Sequence, residues 1–284
     1  MVDDPDCCEH ASQHRTPLQL GVGDYVGRVA RSVALANCHL STVVHTSARK
    51  LPGHAHDWPF FSTLLRGSYV SRTRTREMEY RHGVCVYHPP DFQHHDEIGR
   101  DGGLFFGIQL GPGLLQDADR SASETGCDIA VLDGDEAYIV LGSLYAALYA
   151  GAEQLALEAL VAELAGCLLA PKLSGNGAMP VWLERTESRL YDERHVSLDE
   201  LSRDAGVHAT TLSRLFRRYK NCSIGEFHAR ARARRAFFAV VGSKAPLSEI
   251  CHDAGYADQS HMTRAFKHAF GTTPGELRRS TFDA

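Results

Sequence analysis

The sequence predicts an α+β multidomain protein: an N-terminal β-barrel, two following helices, and an all-α C-terminal domain built on two copies of one helical pattern. Three observations carry this prediction. Short apolar runs punctuated by Gly and Pro fill residues 24–110, the signature of strands and turns. The period then changes to that of helices in "DEAYIVLGSLYAALYAG" and "AEQLALEALVAELAGCLLA". Finally, "RDAGVHATTLSRLFRRYKNCSIGEF" is answered about fifty residues later by "HDAGYADQSHMTRAFKHAFGTTPGELRR".

The chain has 284 residues, 43% of them hydrophobic and 23% charged, as in ordinary globular proteins. Its formal charge of −5 is unevenly spread. Residues 181–284 hold 17 of the 30 Lys and Arg but 13 of the 35 Asp and Glu, a balance of +4 against −9 for the rest. A basic back and an acidic front point to a polyanion partner for the back alone. The N-terminus "MVDDPDCCEH" is acidic and polar, unlike a secretory leader. The longest apolar run, Ala137 to Ala152, is short for a bilayer. Eight scattered cysteines without a C-x-x-C pair fit a reduced, cytoplasmic setting, away from membranes. Cys7, Cys8, His10 and His14 are metal-ligand types gathered near the terminus.

In chain order, residues 1–20 read as a tail and 21–115 as the barrel, with "STLLRGSYVSRTRT", "MEYRHGVCVYHPP" and "GLFFGIQLGPG" as strands and turns. Residues 116–171 form the helical segment. In it Leu157, Val161, Leu164 and Leu168 are spaced four, three and four apart, which fits either a dimer seam or a stripe covering the barrel. Residues 172–180 are turn formers and make a linker to the domain 181–284.

Each copy of the repeat has the same parts. In the first, Ser197 and Glu200 make a capping box, Leu198, Leu201 and Ala205 a stripe, and Gly206 a helix stop. The next helix turns Leu212, Leu215, Phe216 and Tyr219 inward and Thr210, Ser213, Arg214 and Arg217 outward, with Arg218 beside them. In the second, Pro246 opens a helix, Leu247, Ile250 and Ala254 give the stripe, and Gly255 the turn. Met262, Phe266 and Phe270 then face inward. Gln259, Ser260, Thr263, Arg264 and Lys267 face outward, the last four each fifty positions after a counterpart. Phe227, Ala231, Arg234, Arg235 and Phe238 mark a connecting helix. A short helix, a glycine turn and a basic second helix is the helix-turn-helix pattern, whose second helix fits the DNA major groove. Two copies at fixed spacing suit successive grooves of one duplex.

These residues resemble a known family. The segment Val181 to Ser280, and above all "GYADQSHMTRAFKHAFGTTPGELRR", is similar to the DNA-binding domain of AraC/XylS transcription regulators. Ile224 stands where that family often has proline, and His208 replaces a better capping residue. The front resembles the family's usual sensor, a cupin barrel, through "LPGHAHDWPFFSTLLRGS" and "GVCVYHPPDFQHHDEI". The resemblance implies double-stranded DNA, a small-molecule effector, RNA polymerase and a second copy of the chain as partners, and no enzymatic activity.

His54 and His56 stand two apart and so share one strand face, and His94 falls at the histidine of the second cupin motif. Three roles stay open for this trio: effector contacts by hydrogen bonding, a divalent metal, or structure alone. No cofactor is required. Trp58 and Tyr87, with Phe60 and Phe61, are further candidates for the effector pocket. The cupin carboxylate is missing, because its place falls near Phe60 or Phe61. The alternatives to an effector-controlled regulator are therefore a cupin metalloenzyme with an appended helical module, which the missing carboxylate disfavours, and a regulator without an effector.

Overall fold

A computed structural model describes residues 17–73, 76–80, 82–111, 114, 130–131, 135–169 and 179–283. The terminal group Cys7, Cys8, His10 and His14 and most of the expected linker lie outside these.

The front is built on a main sheet that curls around a pocket, with a small two-stranded sheet beside it. Strands β2 (Arg28–Ala34), β3 (Cys38–His45), β6 (Phe60–Arg72), β8 (Cys85–His88), β9 (His95–Leu110) and β10 (Ala130–Val131) run in the order β10-β8-β6-β9-β3-β2. β4 (Arg49–Lys50) adds to β9 and β7 (Glu77–Tyr80) to β6, while β1 (Leu18–Leu20) pairs in parallel with β5 (His54–His56) as a separate small sheet. The two longest strands, β6 and β9, bend sharply where they pair. Gly67 and Gly102 both have positive φ, and a Cβ on Gly67 would stand 2.2 Å from the Gly102 carbonyl oxygen. Only glycine allows that approach. β10 falls inside the segment expected to be helical.

Strand parity then sorts the side chains into two layers. Leu64, Tyr69, Tyr80, Val86 and Ile98 pack on one another inside the curl. Phe61, Cys85, Tyr87, Phe106 and Ile108 point out of it into the main core.

Helices α1 (Asp135–Ala150) and α2 (Gln154–Leu169) cover this outer face. Leu157, Val161 and Leu164 of α2 are buried within the chain's own core, at 3%, 1% and 0% exposure, so the apolar stripe covers the sheet and α1. The Leu168 side chain lies outside the described part.

The C-terminal helices are α3 (Val181–Asp192), α4 (Leu198–Ala205), α5 (Ala209–Lys220), α6 (Ile224–Gly242), α7 (Leu247–Asp253), α8 (Gln259–Phe270) and α9 (Pro274–Phe282). They divide between two cores. Leu183, Leu190, Leu201, Leu212, Phe216 and Phe227 form a small core of the first repeat unit. Phe237, Ile250, Met262, Phe266, Phe270 and Leu277 of the second unit instead join the main core with α1, α2 and the sheet. Aromatic rings run across this junction, with Phe106 to Tyr145 at 5.3 Å, Tyr145 to Phe237 at 5.8 Å and Phe237 to Phe270 at 5.1 Å. No described helix is long and apolar enough to cross a membrane.

Candidate functional site

The two repeat units present matching outer faces. The capping box expected at Ser197 and Glu200 is formed in both directions, and Gly206 ends α4 at φ 65°. His208 accepts from Thr210 N at 3.3 Å and so caps α5 with an imidazole nitrogen. Asp258 caps α8 by accepting from His261 N at 2.7 Å. In α5, Leu212 and Phe216 are buried while Thr210, Arg214, Arg217 and Arg218 are exposed and Ser213 is half-buried. In α8, Met262 and Phe266 are buried while Gln259, Ser260, Arg264 and Lys267 are exposed and Thr263 is half-buried. Leu215 and Tyr219, expected to face inward, are half-buried, Tyr219 packing against the core of that unit. Thr263 Oγ1 donates to the Gln259 carbonyl at 2.8 Å, which leaves Arg264 and Lys267 as the reaching groups on that face. Free guanidinium groups on an exposed helix face suit phosphate oxygens and the O6 and N7 acceptors of guanine.

Helix α6 joins the two units. Arg234 sits between their cores: its guanidinium lies 3.5 Å from Asp135 Oδ1, 3.5 Å from the Tyr138 ring centroid, and donates to the Gly83 carbonyl at 3.0 Å. Arg235 donates to the Tyr191 carbonyl of α3. The connecting helix is thereby tied to the sheet, to α1 and to the first unit at one level. Asp135 is 3% exposed, and burial raises its carboxyl above the usual range.

The histidine pocket lies inside the curled sheet. It is lined by His45, His54, His56, Phe60, Tyr69, His88, His94 and Asp96 among others, around a cavity of about 60 Å³. Backbone pairing creates it. His54 N donates to His94 O and His94 N to His54 O, each at 3.0 Å, so the two residues are direct cross-strand partners on one face. His56 and Asp96 follow two positions on from each and share that face. One ring nitrogen from each of His54, His56 and His94 lies within 4.8 Å of the other two. His54 Nδ1 is 2.9 Å from the Pro52 carbonyl and His94 Nδ1 is 3.1 Å from that of Phe92. Both Nε2 atoms face Asp96 Oδ2, at 3.6 and 3.4 Å. Burial, with the neighbouring imidazoles, holds His56 down to about 3 and His88 well below the ordinary histidine range; burial also lowers His94.

Two pocket candidates read from the sequence are placed elsewhere. Tyr87 points out of the curl, because parity with His88 and pairing with Phe61 send it into the main core beside α1. Trp58 is half-buried on the turn between β5 and β6 and does not line the cavity. Phe60 lines it and Phe61 does not. Asp96 and His88 carry no mark in the sequence. Their signal, an alternation of pocket-facing positions, becomes visible only once β8 and the start of β9 are paired.

Residues 201–280 match the family model described as a helix-turn-helix domain. Over 97 residues the chain is 33% identical to the HTH-type transcriptional regulator GlxA of Rhizobium meliloti (strain 1021), a match covering 34% of this chain and 29% of GlxA. It is 27% identical over 99 residues to the probable transcription factor PqrA of Proteus vulgaris, covering 35% of this chain and 79% of PqrA. Among solved structures, apo ToxT K231A from Vibrio cholerae strain SCE256 aligns with 87% of this chain and 98% of its own, at 9% identity and a TM-score of 0.40. Both sequence relatives are named for a role in transcription. Residues 201–280 are thus similar to a helix-turn-helix domain found in these regulators, and the match spans under a third of the length of GlxA.

Proposed function

We propose that the chain is a sequence-specific transcription regulator that reads two successive major grooves with α5 and α8 and senses a small ligand in the histidine pocket. The observation that carries this is the duplicated outer face. Thr210, Ser213, Arg214 and Arg217 recur as Ser260, Thr263, Arg264 and Lys267, with the same exposed or half-buried character at each pair of positions. A solvated bundle would not need that likeness, since free surface tolerates drift. Arg218 and Gln259 extend the two contact faces. Because one chain supplies both readers, two grooves are engaged without a partner. The α2 stripe that could have served as a dimer seam is internal, as Leu157, Val161 and Leu164 are buried in the chain's own core.

The pocket suits a very small ligand. Organic ligands of drug size occupy roughly 300–1,000 Å³, whereas this cavity of about 60 Å³ takes a few waters or one hydrated ion. A divalent metal fits the donor set. His56 Nδ1 is buried and has no partner, and the Nδ1 atoms of His54 and His94 are tied to carbonyls, leaving Nε2 to face inward. His54, His56 and His94 would hold such an ion. Bound there, it would supply positive charge that cross-links β5 to the start of β9. The experiment for the DNA-reading role is titration of the purified full chain with duplex fragments at rising salt. Affinity should fall steeply as phosphate counterions are released. A folded chain that binds no duplex at low salt contradicts the proposal.

A further inference from the structure

We infer that His208 sets the hydrogen-bonding polarity of the first reading helix: its imidazole holds the Thr210 hydroxyl proton, so that Thr210 meets the major groove as an acceptor alone and reads the exocyclic amino group of adenine or cytosine. This deepens the DNA-reading role proposed above and rests on it. Thr210 is then a specificity-determining residue, and His208 is the positioning residue behind it.

His208 precedes α5 in extended backbone, at φ −66° and ψ 145°, and turns its ring back onto the helix. Its Nδ1 atom takes two contacts from one residue. Thr210 N donates to it at 3.3 Å, and Thr210 Oγ1 lies 2.9 Å from it. The first contact decides the direction of the second. A protonated Nδ1 would face the Thr210 amide hydrogen, two donors without an acceptor, so Nδ1 carries the lone pair and the ring proton sits on Nε2. A lone pair only accepts. The Thr210 hydroxyl has one proton, and that proton is therefore directed at Nδ1, across an ordinary hydrogen-bond length.

Thr210 thus turns only oxygen lone pairs outward. It is exposed and is the second residue of α5, and in a helix-turn-helix the N-terminal residues of the second helix meet base edges. A free hydroxyl serves donors and acceptors alike there. A hydroxyl whose proton is already engaged discriminates. In the major groove adenine N6 and cytosine N4 donate, whereas thymine O4 and guanine O6 and N7 accept and would oppose the oxygen, lone pair to lone pair. Every base pair carries one such amino group, on one side only, so an acceptor reads which way round the pair stands. The cap of α8 works otherwise. Asp258, at the place matching His208, accepts from His261 N at 2.7 Å, one residue beyond Ser260, the counterpart of Thr210. The device belongs to α5.

Two measurements on the full chain test this. Nitrogen NMR of protein labelled at histidine reads the tautomer without DNA. The ring signal that His208→Ser removes should be that of an imidazole protonated on Nε2; a ring protonated on Nδ1 overturns the inference. Site selection from a randomised duplex library then identifies the base pair whose preference Thr210→Val, of the same shape without the hydroxyl, abolishes. Inverting that pair should weaken wild type at least about fivefold. It should weaken His208→Ser less than about twofold, because serine brings its own proton to the cap and frees the Thr210 hydroxyl to donate. His208→Asp keeps an acceptor for both Thr210 protons, and should bind more weakly overall yet keep the fivefold preference. Both variants retain a cap, so the contrast separates polarity from helix capping. Deleting the amino group alone, with purine for adenine or pyrimidinone for cytosine, should cost wild type what inversion costs and Thr210→Val nothing. A cost from deleting the carbonyl oxygen of that pair in place of its amino group overturns the inference. So does a Thr210→Val chain that selects the same bases as wild type, or a His208→Ser chain that keeps the full preference. A folded wild type that selects no sequence removes the DNA-reading role, and this inference with it, whichever tautomer the spectrum shows.

Discussion

Replacing Gly142 with alanine tests whether the second repeat unit is fused to the front of the molecule. Gly142 lies in α1, and its neighbour Ser143 donates to the Ala269 carbonyl of α8 at 3.0 Å. A Cβ on Gly142 would stand 2.6 Å from Phe270 Cε1, 2.9 Å from Cδ1 of the same ring, and 3.3 Å from Phe237 Cδ2. The Phe270 ring has little room to retreat, because it packs on Phe237 at 5.1 Å and Phe266 at 4.7 Å. In a free helix, Gly→Ala stabilises by roughly 0.5–1 kcal/mol, since glycine loses more entropy on folding. Overpacking of a filled core costs about 1–3 kcal/mol. The second effect should win, for a net loss of about 1 kcal/mol, or roughly 2–4 °C in Tm for a chain of this size. Gly166 of α2 is the control, as a Cβ there meets nothing within 4 Å. Gly166→Ala should stabilise by roughly 0.5–1 kcal/mol. Thermal unfolding of both variants reads the two signs. A Gly142→Ala chain that gains stability as Gly166→Ala does would show that α1 and α8 are not in contact.

Further variants probe single contacts. Leu164→Glu, which places a charge in the core rather than at a subunit seam, should collapse the thermal transition; a stable variant that merely changes its sedimentation would restore the dimer seam. Arg234→Ala leaves Asp135 buried without its cation and should cost about 3–5 kcal/mol, part of which Asp135→Asn should recover in the double variant. Equal Tm values for wild type and Arg234→Ala would show that this junction carries no energy. Ser197→Ala removes an acceptor that satisfies Glu200 N at 3.2 Å and should cost about 0.5–2 kcal/mol in chemical denaturation, with no loss at all contradicting the cap.

The repeat was legible in the sequence because it rests on local rules. Capping boxes, glycine stops and the helical period all act within a few residues, and so Ser197, Gly206, Leu212 and Met262 announce their places. The histidine pair at His54 and His56 was legible for the same reason, through strand parity. What was not legible depends on pairing across the chain. Whether Tyr87 or His88 faces the pocket is set by the register of β8 against Phe60 and Phe61, a shift of one residue reversing the answer. Asp96 in "HHDEIGR" carries no sign of a pocket position until His94 is paired with His54. An amphipathic stripe states that something covers it, not what. Leu164 could therefore face a partner or the sheet, and Phe270 gave no sign that α1 covers it.

The central claim is that one chain reads two grooves, the first with α5 and the second with α8. Chemical footprinting of wild type, Arg214→Ala and Arg264→Ala on one selected duplex tests it most directly. Wild type should protect two major-groove segments about one helical turn, roughly 10 base pairs, apart on the same face of the DNA. Each variant should bind about 1–3 kcal/mol more weakly and lose protection and base preference in one segment only, a different one for each. Loss of the same base pairs by both variants, or a single protected groove for wild type, would contradict the account.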